Sequence, residues 1–115
     1  MSGWVPGGFL HAFRGLLDLV LHQRNARFHL LATVAFITVF ALLGVSYVEW
    51  AVLALAAGLV WAAEAANTAL EHLADRVAPE THPLVARSKD VAAAAVLIAS
   101  MGAAAAGILI FLSHV

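Results

Sequence analysis

From Leu30 to Val45 (LLATVAFITVFALLGV) the chain carries no charged side chain, and from Val91 to Leu112 it again carries none. A helix needs about 20 apolar residues to cross the hydrocarbon core of a bilayer. Inside that core only helices and closed barrels satisfy their own backbone. A third apolar run opens at Trp50 and continues to about Leu73. With 63% of its 115 residues hydrophobic and 11% charged, the chain lacks the polar surface that a soluble domain of this size requires; its mean hydropathy is +0.95. The expected fold is an all-α membrane protein forming one domain, residues 1–115, with spans at about 28–46, 49–73 and 91–112.

Residues Met1 to Gly8 (MSGWVPGG) read as a flexible leader, followed by a surface helix at about 8–23. His11, Arg14, Asp18 and His22 recur at spacings of three and four and share one helical face. Phe9, Phe13, Leu16, Leu17 and Val20 share the other. The pattern suits either a helix lying in the membrane interface or an amphipathic helix packed on protein. His11, Arg14 and Asp18 interrupt this first apolar stretch, unlike a signal peptide. The absence of cysteine excludes disulfides and thiolate metal sites. A net charge of -1 argues against nucleic acid as a partner.

All 6 Lys and Arg residues stand in two places. Arg14, Arg24 and Arg27 precede the first span; Arg76, Arg87 and Lys89 lie between the second and third. The positive-inside rule therefore puts the N-terminus and the polar segment 74–90 in the cytoplasm, and the C-terminus outside. This segment, ADRVAPETHPLVARSKD, contains Pro79 and Pro83 as breakers. On the other side Gly44 to Glu49 forms a tight turn, Tyr47 and Trp50 are interfacial aromatics, and Glu49 and His114 are solvated ends. Alanine-rich second and third spans favour close helix approach, hence self-association.

One stripe of the second span breaks the apolar pattern. At about 100° per residue, Asn67, Glu71 and Asp75 fall within roughly 60° of Glu64, with Thr68 nearby. With Trp50 at the outer interface, a rise of about 1.5 Å per residue puts Glu64 roughly 21 Å inward and Glu71 roughly 31 Å. The hydrocarbon core is about 30 Å thick, so Glu71 reaches the inner boundary and Glu64 lies roughly 9 Å below it. An ionised carboxylate there costs several kcal/mol unless paired or hydrated. It could pair with Lys or Arg from a neighbouring helix, or serve as a general base. Stacked carboxylates destabilise one another without a cation, and oxygen-rich sites lacking Cys suit Mg²⁺ or Ca²⁺. Lys89 and Asp90 stand at the start of the third span, at the depth of Glu71, with Arg87 two residues earlier. A basic pair beside such a stripe suits a polyphosphate with Mg²⁺. There is no GxxxxGK loop. His29, His72 and His82 lie on the same side without the spacing of a zinc motif. An acidic site facing both cytoplasm and lipid fits phosphoryl transfer to a lipid hydroxyl, or ion or proton passage.

The run EAANTALEHLADRVAPETHPLVARSKDVAAAAVL, Glu64 to Leu97, resembles the prokaryotic diacylglycerol kinase family, which includes undecaprenol kinases. The family pattern is E-x-x-N-[ST]-x-[IL]-E, a D-x-[IV] step, a loop with E-x-H and a closing K-D before an alanine-rich span; every position is present here. FLHAFRGL and RNARFHL resemble the family's surface helix and the start of its first span, so the likeness covers about Phe9 to Ile110. It implies an ATP- and Mg²⁺-dependent homotrimeric lipid kinase of the inner (plasma) membrane, phosphorylating diacylglycerol or undecaprenol. By matching position, Glu64 would take the lipid hydroxyl proton and Glu71 would ligate Mg²⁺. Asn67, Lys89 and Asp90 would serve the nucleotide and its phosphates, with Glu80 and His82 near the adenine. The chain departs from the pattern at Gln23, where the family often has Glu as a second metal ligand. Either the metal is held less firmly by an uncharged amide oxygen, or another carboxylate such as Asp75 compensates. Thr81 replaces an aromatic before the loop histidine. NARFHL and THPL lean toward the undecaprenol-type branch.

The competing reading is a non-enzymatic membrane oligomer, an ion or proton pathway or an assembly subunit, built on the same carboxylates. The Lys89–Asp90 pair and the lack of polar residues from Trp50 to Ala63 count against it.

Overall fold

The computed structural model describes residues 6–115 as α1 (Pro6–His22), α2 (Arg24–Leu43), α3 (Tyr47–Val77) and α4 (Pro83–Ser113), with no strand among the described residues. Of the expected leader, Met1 to Val5 lie outside the described residues, whereas Pro6, Gly7 and Gly8 already belong to α1. The 3 longer helices are apolar and long enough to cross a membrane. The chain is a membrane protein.

Each helix boundary has a local cause. Gln23 interrupts α1 and α2 with extended backbone, φ -111 and ψ 121. Gly44 ends α2 in the left-handed region, φ 71, where its N–H donates to the Phe40 and Ala41 carbonyls; glycine takes that conformation without a Cβ penalty. The first span therefore ends at Leu43, short of the expected residue 46. Ser46 and Glu49 form a reciprocal capping box that starts α3. At the other end α3 runs past Leu73 to Val77, and α4 begins at Pro83 instead of Val91. Pro83 is thus a helix starter and not a breaker: in the first turn its missing N–H costs nothing. His82 caps the helix, its Nδ1 accepting the Leu84 N–H at 3.1 Å. Arg87, Lys89 and Asp90 consequently ride on α4.

α3 and α4 pack along one another as an antiparallel hairpin, and α2 and α1 lie against it. The molecule measures 51 × 37 × 22 Å, close to the ~46 Å expected of a 31-residue helix at ~1.5 Å per residue. Its small core, Phe40, Val45 and Leu53 with Phe36, Leu43, Trp50 and Ile110, sits toward the end opposite the Lys and Arg residues. Glu49 and His114 meet there at 2.9 Å, so these expected solvated ends instead tie the C-terminus to the α2–α3 turn. Large apolar side chains such as Leu55, Ile98 and Leu109 point outward along the spans, as lipid contact requires. On α1, Leu19 is buried while Phe9, Phe13 and Leu17 are exposed. The bundle leaves most of the apolar face of α1 uncovered, as a helix lying in the interface would.

Gly107 of α4 is buried against the Phe36 ring of α2, and a Cβ there would overlap that ring. Gly107→Val should destabilise the bundle by about 1–3 kcal/mol, read as a lower Tm in detergent. Adding Phe36→Ala should make the substitution less damaging; equal damage in both backgrounds would mean the contact is not formed.

Candidate active site

The stripe on α3 emerges from the bundle by steps. Glu64 is 2% exposed, Asn67 9% and Thr68 6%; Glu71 is half-buried and Asp75 is exposed. The helix turns Trp61, Ala65, Thr68 and His72 toward α1, and the half-buried Ala56 and Ala63 toward α4. At about 100° per residue, Glu64, Asn67 and Glu71 fall in the seam between those two faces. A cavity of ≈ 380 Å³ separates α1 from α3, lined by Gly15, Asp18, Trp61, Thr68 and His72 among others.

Glu64 makes no ion pair with Lys or Arg among the described residues. Its Oε2 instead faces His29 Nε2 of α2 at 3.7 Å. His29 is held in turn. Its carbonyl accepts from the Thr33 hydroxyl at 2.7 Å, and Thr33 Oγ1 accepts from Trp61 Nε1 at 3.0 Å. The His29 ring also sits edge-on to Trp61, with centroids 6.5 Å apart. His29 was not among the expected site residues, although the sequence held a signal: it is the one ionisable side chain between Arg27 and Tyr47. An intramembrane ionisable group is expected to find a partner on another span.

Lys89 reaches from α4 to Asp75 Oδ1 at 2.6 Å. Asp75, one turn beyond Glu71, thus takes the ion pair, and the ammonium lies at the exposed end of the stripe, away from Glu64. Asp90 is exposed on the next position of α4. Glu80 and His82 are exposed in the α3–α4 connection. Gln23 Nε2 lies 3.4 Å from His72 Nε2, which brings the α1–α2 junction beside the residue next to Glu71. The expected residues are therefore grouped at one end of the bundle, with Glu64 deepest.

Among the described residues no three His, Asp or Glu side chains converge as a metal-binding group. Mg²⁺ does not require such a cage, since it commonly takes one or two carboxylates and completes its shell with water and substrate phosphates. Two features of this site fit that mode. Asn67 Oδ1 is buried with no hydrogen-bond partner, an acceptor oxygen left one turn from Glu71. Gln23 turns its amide nitrogen to His72 and so keeps its oxygen for another contact.

Fold and site together define a helical membrane protein that holds a buried carboxylate near the basic end of its bundle. The family model described as prokaryotic diacylglycerol kinase matches residues 10–111, and the chain belongs to that family of lipid kinases. It is 36% identical over 104 residues to undecaprenol kinase of Bacillus subtilis (strain 168), covering 90% of this chain and 85% of the relative. It is 41% identical over 100 residues to diacylglycerol kinase of Synechocystis sp., covering 86% of this chain but 57% of that longer relative. Diacylglycerol kinase of Pseudomonas aeruginosa is 37% identical over 98 residues, 85% of this chain and 74% of the relative.

Proposed function

We propose that the protein transfers the terminal phosphoryl group of ATP to the hydroxyl of a membrane lipid alcohol, with undecaprenol as the preferred acceptor. The observation that carries this reading is Glu64, 2% exposed and inside a membrane span, where only a substrate arriving through lipid would meet it. The match along 85% of an undecaprenol kinase supports that acceptor; the relatives named diacylglycerol kinase support diacylglycerol as the second.

In this reading the acceptor hydroxyl hydrogen-bonds to Glu64, which takes its proton as the oxygen attacks phosphorus. The proton passes to the carboxylate, the new O–P bond forms, and ADP leaves with the bridging oxygen. Lys89 lies against the phosphates, and on nucleotide binding exchanges part of its contact with Asp75 for theirs. Asn67 and Asp90 orient the nucleotide, while Glu80 and His82 flank the base from the α3–α4 connection. Glu71, helped by the Gln23 amide oxygen, would hold Mg²⁺, whose charge neutralises that developing on the transferred group. The protein's share of catalysis is positioning and charge stabilisation.

The same reading makes 1–115 one kinase domain of the inner (plasma) membrane, with the N-terminus and the α3–α4 connection cytoplasmic and the C-terminus outside. It also makes the active assembly a homotrimer, supported by the exposed small-residue faces of α3 and α4. The test is a side-by-side assay of the purified protein with ATP, Mg²⁺ and either undecaprenol or diacylglycerol in mixed micelles. A phosphorylated lipid is expected from both, faster from undecaprenol. No product from either lipid in assembled protein overturns the kinase reading; faster turnover of diacylglycerol overturns the acceptor preference.

A further inference from the structure

The geometry points to His29 as a positioning residue for the phosphoryl-transfer reaction: its Nε2–H holds one oxygen of the Glu64 carboxylate and leaves the other free for the acceptor hydroxyl. This rests on the reading of Glu64 as the base. Three observations carry it. The contact joins two membrane spans at a distance of 3.7 Å, within ion-pair reach, and the side chains are 17% and 3% exposed. Contacts of this kind are often long without substrate and tighten when it binds. The imidazole is not free to wander, because Thr33, Trp61 and the T-shaped ring contact fix its backbone and plane. The depths also agree. His29 stands five residues into α2, about 7.5 Å from its basic end, and Glu64 lies about 10 Å from Glu71 on α3.

A carboxylate with two equivalent oxygens and no neighbour can rotate about its last torsion and offer either one. An N–H donor on Oε2 removes that freedom and aims Oε1 along one direction. His29 itself need not touch substrate. In the full-length protein, His29→Leu removes the donor and keeps an apolar side chain. Loss of a hydrogen bond to a charged group corresponds to a rate effect of about 10- to 100-fold. The expected result is a fall of that size in kcat for the lipid acceptor, with KM for ATP within about twofold of the parent. His29→Gln, which keeps an N–H donor, should recover most of the rate. Placing His29→Leu on top of Glu64→Gln should cost nothing further, because the group it positions is gone. Assembly of each variant is followed by size-exclusion chromatography, and rates are taken per assembled protein.

Parent-like kcat in His29→Leu overturns the proposal, and so does a His29→Gln variant as slow as His29→Leu. A merely structural role would lower the assembled fraction and not the rate per assembled protein. An active Glu64→Gln variant overturns the base assignment itself and this inference with it. An inactive Glu64→Gln beside an unaffected His29→Leu overturns the role of His29 alone.

Discussion

Glu64→Gln is expected to give a correctly assembled protein that no longer phosphorylates lipid. The substitution preserves shape at a position that is 2% exposed, and an amide at that depth is less costly than an ionised carboxylate, so folding has no reason to suffer. What disappears is the proton acceptor. General-base catalysis contributes about 10²- to 10⁴-fold, and kcat should fall by that factor. ATP binding should persist, because the residues assigned to the nucleotide lie three or more residues away toward the basic end. Turnover of a lipid alcohol, nucleotide binding and thermal unfolding measured on one preparation separate these effects. Near-parental turnover would remove Glu64 from the chemistry.

Glu71→Gln is expected to act differently. Glu71 is half-buried, and Lys89, the nearest cation of α4, is already engaged by Asp75. Replacing its charge leaves only uncharged amide oxygens, those of Asn67, Gln23 and the substituted side chain, around the proposed metal position. Loss of one preorganised electrostatic contact typically costs about 10²- to 10³-fold, and kcat/KM for ATP should drop on that scale. Part of the loss should return as Mg²⁺ is raised. Gln23→Glu in the parent should move the Mg²⁺ titration the other way, to lower concentration. A Glu71→Gln variant with an unchanged Mg²⁺ titration would place the ion elsewhere.

The helices and their order were legible because an apolar run has few places to go. The residues between the runs were harder. Pro83 stands among Glu80, His82, Arg87 and Lys89, and a polar, proline-bearing stretch looks like a loop. Yet Pro favours the first helical position, and Arg87 stays exposed to water on the helix that follows. The acidic stripe was readable from helical periodicity alone. The partners on its side chains were not. Depth put Lys89 level with Glu71, but the short turn from Ala78 to His82 sets the register of the hairpin and brings Lys89 to Asp75. His29 and Glu64 lie 35 positions apart, and no pattern within one helix reports on a contact between two. The pairing follows only from the crossing of α2 and α3.

Because α4 starts at Pro83 and continues unbroken to Ser113, Lys89 is geared to the rod that crosses the bilayer. A lysine on a mobile loop can be redirected by the loop without disturbing the rest of the chain. Here any roll of the rod about its long axis sweeps the ammonium through the same angle. One residue of slip amounts to about 100°, enough to carry Lys89 off the acidic stripe. Lipid-facing side chains many turns away, such as Ile98 and Leu109, therefore share in aiming the charge at the membrane surface.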